Sequence, residues 1–180
     1  MLAHDMATEA QGEFLLRIED IDQSRARPEW ETQIFDDLNW LGLTWQSPVM
    51  RQSERTEAYR AALKTLGERG LIYPCTCNRR DIAEAAHAPQ EGVAPLTGPD
   101  GLIYPGTCRP TSPVPMTSLP QGAALRLNLS ALAVHAPFQF TETGSGPKGE
   151  TGSIMFDLQQ AHREIGDVVL ARRDMGTSYH

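Results

Sequence analysis

Three cysteines carry the most specific chemistry in this chain. Cys75 and Cys77 are separated by one residue, and Cys108 follows a long Pro/Gly-rich stretch. A Cys-x-Cys pair is badly placed to bridge itself, and an odd total argues against a disulfide framework. Thiolates suit Zn²⁺, which takes four tetrahedral ligands at structural sites and keeps one position open at catalytic ones. Three sulfurs therefore require a fourth donor: His87, His135, Tyr104 or water. His87 is the conventional choice because imidazole binds zinc well. Tyr104 must lose its phenolic proton, which the charge of a metal can drive. The alternative is three unrelated buried thiols.

A second candidate lies in FLLRIEDID, residues 14–22, where an apolar stretch ends in Glu19, Asp20 and Asp22. Such acids can cap the following helix and pair with Arg17, Arg25 and Arg27. They can also receive a cation, either Mg²⁺ or a ligand ammonium. If Ile18 faces the core, Arg17 and Glu19 share the opposite face.

Both groups must be positioned by an alternation of helices and strands. Leu2, Ala3, Met6 and Ala7 read as the end of a helix that stops near Gly12, and Phe14 to Ile18 as a short buried strand. Pro28 suits a first helical position, with Glu29 and Glu31 beside it. Trp30, Ile34, Leu38 and Leu41 form its stripe and Gly42 its C-terminal cap. A second helix follows Ser53 as N-cap, with Tyr59, Ala62, Leu63 and Leu66 as its apolar stripe. Eight of the 13 prolines lie between Pro89 and Pro120, which predicts irregular chain. ALRLNL alternates Leu125, Leu127 and Leu129 against Arg126 and Asn128, the pattern of a half-buried strand. Phe138 to Phe140 predicts another strand. GDVVLARRDMGTSYH predicts strand, turn, strand, with the turn at Asp174 to Gly176. The pattern fits an α/β domain with a smaller inserted module, and ligands of open α/β sheets sit beyond the carboxyl ends of strands.

Composition narrows the function. Of 180 residues, 40% are apolar and 22% charged, and the net charge is −7. That is a globular composition without a general nucleic-acid footprint, although Arg163, Arg172 and Arg173 cluster late in the chain. No apolar run approaches the roughly 18–20 residues of a membrane helix. Free thiols fit a reducing cytoplasm.

GEFLLRIEDID, DDLNWLGLTW, RQSERTEAYRAAL and GLIYPCTC, in this order, resemble the catalytic domain of class I glutamyl-tRNA synthetases. RIEDID, the set Cys75, Cys77, Tyr104, Cys108, and the late GDVVLARRDMGTSYH resemble the short paralogue family, the glutamyl-Q tRNA(Asp) synthetases. The resemblance covers most of residues 12–180. It implies a partial Rossmann-like α/β core at 1–73, a zinc-binding Pro/Gly-rich insertion at 74–122 and a β-rich segment leading back to the core at 123–180. It implies that Glu19 contacts the α-ammonium of L-glutamate and that Tyr179 is a second glutamate-binding position. Asp20 and Asp22 are then structural, and the fourth zinc ligand moves from His87 to Tyr104, with zinc in a structural role. The implied reaction is ATP-dependent activation of L-glutamate, with Mg²⁺, and transfer to the queuosine base of tRNA(Asp) by a cytoplasmic monomer.

The family's HIGH-type and KMSKS-type ATP-binding motifs have no counterpart. The only early His is His4, and the only lysines are Lys64 and Lys148. The expectation is an internal piece of a longer enzyme, with no catalytic residue of its own and inactive in isolation. Two other readings fit the same residues: a fragment of a discriminating glutamyl-tRNA synthetase, and a non-catalytic zinc-stapled module.

Overall fold

Gly12 ends the opening helix as its position suggests: its N–H returns to the Ala7 carbonyl at 2.8 Å. This helix, α1 (Leu2–Glu9), opens a computed structural model that describes residues 1–87, 96–99, 101–132 and 138–179, with only the main chain of His87. His135, the His87 side chain and residues 89–95 and 100 of the Pro-rich stretch therefore lie outside the described residues. The chain divides into two compact units, residues 1–60 with Tyr179, and residues 61–178.

In the first unit, β1 (Leu15–Ile18) is followed by α2 (Pro28–Trp40), with Pro28 in the first turn beside Glu29 and Glu31. Leu43 N–H reaches the Leu38 carbonyl at 3.0 Å, and Gly42 takes φ +73°, the left-handed turn that favours glycine at a helix end. β2 (Gln46–Arg51) then pairs parallel to β1, with Ile18 opposite Arg51. Its sequence, QSPVMR, contains a proline and lacks a clean alternation, so it carries little strand signal. The expected burial of this region is corrected by the structure. Ile18 is buried, but Leu15 is 70% exposed, and Trp30, Ile34 and Leu41 stay about half-exposed. A two-stranded sheet covers little apolar surface.

Ser53 is also corrected. It lies inside a 3₁₀ turn (Gln52–Arg55), and α3 (Thr56–Glu68) starts three residues later. Its hydroxyl and N–H both donate to Asp20, at 2.5 and 2.9 Å. Asp20, from the end of β1, is thus the acceptor that satisfies this helix entry.

The second unit is built on a three-stranded antiparallel sheet. Its remaining elements are β3 (Ile72–Cys75), α4 (Arg79–His87), the short β4 (Thr97–Gly98) and β5 (Gly101–Leu102), β6 (Ala124–Leu127), α5 (Leu129–Leu132), the hairpin β7 (Phe138–Glu142) and β8 (Gly152–Phe156), α6 (Leu158–Glu164) and β9 (Val169–Ala171). The sheet order is β3-β6-β9. Leu63, Ile72, Leu125 and Ala171 form its core, with Leu66 and Leu127 packed against them. The half-buried strand expected at 125–129 is corrected: β6 is the central strand, and Arg126 and Asn128 are buried as well. Asn128 Oδ1 accepts from Ala131 N–H at 3.1 Å, which turns the chain into α5 at Leu129. After β9 the expected turn forms, with Gly176 N–H on the Arg172 carbonyl at 2.9 Å, but residues 177–179 form no second strand. No helix among the described residues is long and apolar enough to cross a membrane.

Ile72 is 1% exposed and Trp40 is 85% exposed. Ile72→Ala is expected to lower unfolding free energy by about 2–5 kcal/mol, and Trp40→Ala by less than about 0.5 kcal/mol, read from urea denaturation midpoints.

Candidate functional site

The three cysteines converge. Cys75 ends β3, Cys77 lies two residues on, and Cys108 comes from the loop after β5; their sulfurs all lie within 4.8 Å of one another. Cys77 Sγ and Cys108 Sγ are 3.4 Å apart. Tyr104 brings its hydroxyl to the same point, 3.4 Å from Cys75 Sγ and 3.8 Å from Cys77 Sγ. A tetrahedral ion bound at about 2.3 Å to sulfur and 2.0 Å to oxygen requires donor separations of roughly 3.5–3.8 Å. The Cys75–Tyr104, Cys77–Tyr104 and Cys77–Cys108 separations of 3.4, 3.8 and 3.4 Å stand close to those values, so the donor set fits a tetrahedral metal ion.

Main-chain geometry explains why the tyrosine arrives there. The Cys108 N–H donates to the Tyr104 oxygen at 2.8 Å, and the Arg109 N–H closes a turn on the Gly106 carbonyl, also at 2.8 Å. Gly166, at φ +75°, lies so close that a Cβ there would stand 2.7 Å from Ile103 Cγ2. The absence of a side chain lets residues 103–104 pack against the turn that precedes Asp167.

Asp167 ties this loop to the sheet. Its fully buried carboxylate accepts from Tyr73 Oη at 2.5 Å, Arg109 Nε at 2.6 Å and Leu129 N–H at 2.9 Å. Burial, and then the hydrogen bond to Asp167, push the Tyr73 phenol well above its ordinary range, so Tyr73 stays a donor. The Arg126 guanidinium donates to the Asp167 carbonyl at 2.7 Å and lies 3.8 Å above the Tyr104 ring. Sequence reasoning missed Tyr73, Arg109, Arg126 and Asp167. Their only signal was weak: an Arg next to Cys108, and an acid inside the apolar run GDVV.

The strand-end acids separate. Glu19 pairs with Arg17 at 2.6 Å on the face opposite buried Ile18, both side chains being half-exposed. Asp20 serves Ser53; burial opposes its charge, but the Ser53 hydroxyl and N–H outweigh this and hold its carboxyl below the usual range. Asp22 accepts from Ser24, its N–H at 3.2 Å and its hydroxyl at 2.5 Å. The three carboxylates thus do not converge on one cation. Tyr179 does meet this strand end: its hydroxyl donates to the Glu19 carbonyl at 3.3 Å and accepts from Asp22 N–H at 3.1 Å. The late arginines are partly engaged, since Arg172 pairs with Asp174 and Arg173 donates to the Thr76 carbonyl at 2.8 Å.

Comparison with known proteins adds a lineage to this geometry. The family described as tRNA synthetases class I (E and Q), catalytic domain, matches residues 1–96. A Glutamyl-Q tRNA(Asp) synthetase from Rhodobacter capsulatus is 56% identical over 181 residues, covering 100% of this chain and 62% of that protein. A Glutamate–tRNA ligase from Thermosynechococcus vestitus is 46% identical over 86 residues, 47% of this chain and 18% of that protein. The crystal structure of a glutamate tRNA ligase from Elizabethkingia meningosepticum, in complex with its amino acid, superposes with a TM-score of 0.65 at 18% identity. It covers 99% of this chain and 36% of its own, and it shows likeness of fold. The chain thus spans under two thirds of the length of these relatives.

The thiols differ in charge. Burial works against ionisation of Cys108, yet hydrogen bonds from Tyr104, the Thr76 backbone and Cys77 bring it down to about 6. Burial and the bond to Cys108 push Cys77 up to about 11. Cys108 is therefore thiolate at neutral pH and Cys77 is not. In metal-free protein, iodoacetamide followed by peptide mass mapping is expected to label Cys108 before Cys77. The Cys108 rate should fall to half as pH drops through about 6.

Proposed function

The chain belongs to the family of class I tRNA synthetases (E and Q), catalytic domain, and from that premise we propose that it is the glutamate-binding portion of a glutamyl-Q tRNA(Asp) synthetase. The reaction is activation of L-glutamate by ATP, with Mg²⁺, and transfer of the glutamyl group to the queuosine base of tRNA(Asp) in the cytoplasm, by a monomer. The observation that carries this reading is 56% identity along the whole chain to a relative of that name.

Glu19 is assigned to the α-ammonium of L-glutamate. Its ion pair with Arg17 is half-exposed, and exposed pairs are worth little, so an arriving ammonium competes for the carboxylate at low cost. Tyr179, hydrogen-bonded to the main chain of the same strand end, presents its phenol as the second contact. Cys75, Cys77, Tyr104 and Cys108 are assigned to a structural Zn²⁺, which supplies cross-linking rather than chemistry. The functional segments follow: residues 1–73 as Rossmann-like core, 74–122 as zinc insertion and 123–180 as the return to the core. No catalytic residue is assigned to this chain. A second reading, charging of the 3′ end of tRNA(Glu), is favoured by the identity to a Glutamate–tRNA ligase within the same region.

One assay separates the readings. The 180-residue chain is joined to the flanking segments of the Rhodobacter capsulatus relative and given labelled glutamate, ATP and purified tRNAs. Label on queuosine-containing tRNA(Asp), and not on tRNA(Asp) lacking queuosine, is expected. Label on tRNA(Glu) would establish the second reading, and label on neither would overturn both. In that protein, Glu19→Gln removes a charge-assisted hydrogen bond of about 1.5–3 kcal/mol and is expected to raise the glutamate KM about 10- to 100-fold. The 180-residue chain alone is expected to catalyse no glutamate-dependent exchange of pyrophosphate into ATP, since it carries neither ATP-binding signature.

A further inference from the structure

Three thiolates and a phenolate around a divalent cation leave two negative charges in a largely buried place. Cys75 and Tyr104 are buried while Cys77 and Cys108 are partly exposed, so solvent reaches only part of that charge, and uncompensated buried charge is costly. The remaining compensation must come from the protein. Arg109 and Asp167 cancel each other across their 2.6 Å pair. Among the described residues, Arg173 and Arg126 are cations in contact with the site. Arg173 donates to the carbonyl of Thr76, the residue between the two cysteines, at 2.8 Å. Arg126 is itself buried at 9% exposure, places its guanidinium carbon over the Tyr104 ring at 3.8 Å, and keeps Nε without a hydrogen-bond partner. A buried guanidinium with an unused donor is expensive unless a nearby anion answers it.

We infer that Arg126 is a positioning residue for the metal: stacked on Tyr104 and fixed through the Asp167 carbonyl, it holds the phenol in place and supplies the counter-charge that makes Tyr104 the fourth ligand. The inference rests on the Cys75–Cys77–Tyr104–Cys108 zinc reading and adds a residue that touches no metal. Geometry sets its direction. The ring is clamped from three sides, with Arg126 on its face, Cys108 N–H on its oxygen and the Cys75 thiol beside that oxygen. A guanidinium does this where an ammonium does not, because it is planar and weakly hydrated and stacks on an aromatic face.

The test is a double-mutant cycle on the full chain, read as Zn²⁺ affinity by competition with a chromogenic chelator. Circular dichroism of each metal-free protein checks that it is folded. Partners that orient a ligand typically contribute 10- to 100-fold in metal affinity. Arg126→Met is therefore expected to weaken Zn²⁺ binding by about 10- to 100-fold, and Tyr104→Phe by at least as much. Combining them should add little, because without the phenol Arg126 has nothing to position. Arg126→Lys, which keeps the charge and loses the plane, should fall in between. If Arg126→Met fails to fold, the same cycle run with Arg126→Lys reads the same coupling. A Co²⁺-substituted protein gives an independent signature: the strong visible absorption of four-coordinate cobalt should persist in the parent chain and change in Arg126→Met as it does in Tyr104→Phe. Two outcomes overturn the inference while leaving the metal site intact: Arg126 variants that bind Zn²⁺ like the parent, or losses that multiply in the double mutant. A parent chain that binds no Zn²⁺ at all would instead overturn the zinc reading beneath it.

Discussion

The buried carboxylate of Asp167 is the constraint on which the second unit depends. It takes hydrogen bonds from β3 through Tyr73, from the cysteine loop through Arg109 and from the entry of α5 through the Leu129 N–H. Its carbonyl holds Arg126 on the central strand. These contacts come from residues 73, 109, 126 and 129, spread over the whole unit, and they converge on one side chain. A fully buried ion is tolerated only when its partners satisfy it completely. The arrangement is therefore less a source of net stability than a device that admits one packing. Any other placement of the loop separates Arg109 from the buried Asp167 carboxylate.

That device explains how an irregular segment can present ligands accurately. Between β5 and β6 the chain runs from Ile103 to Ala123 with no helix or strand, so no ladder of backbone hydrogen bonds fixes it. The anchors are instead particular: the Arg109–Asp167 pair, the close approach at Gly166, and Met116 N–H on the Gly67 carbonyl at 2.8 Å. Cys75 and Cys77 come from the sheet side and Cys108 from the loop side. A metal ion held by all of them, as proposed, would join the two, and because such ligands are scattered in an unfolded chain, its binding free energy would also be local folding free energy.

Much of this was legible in residues whose meaning is local. Helix ends at Gly12 and Gly42, Pro28 in its first turn, and the Arg17–Glu19 face opposite Ile18 follow from rules that act over a few residues. The Cys-x-Cys pair is equally local, and its chemistry asks for partners by number and type. The failures share a cause. Ser53 has the residue type of an N-cap, but Asp20, 33 residues earlier, supplies the cap instead. Arg126 and Asn128 alternate like the solvent face of a strand, yet β6 is central and both are buried. Alternation reports polarity, and polarity implies exposure only where no distant partner is available. Here Asp167 answers one residue and the start of α5 the other. Such pairings form only once the chain is folded, and no window of sequence contains them.

The two acids at the end of β1 show how the same chemistry is divided by environment. Asp20 is committed: Ser53 donates to both its oxygens, its charge is held by those donors, and moving it would leave a helix entry without its acceptor. Glu19, one residue earlier and on the opposite face, carries only a half-exposed partner that water and salt weaken. A group meant to recognise a ligand must be anchored in its backbone and uncommitted in its side chain. Glu19 meets both conditions, since its carbonyl accepts from Tyr179 while its carboxylate stays available for exchange. Its backbone is therefore tied to the other residue assigned to the same ligand. In the proposed glutamate site, a substitution that loosens Tyr179 would therefore act twice, once through the lost phenol and once through the displaced Glu19 carboxylate.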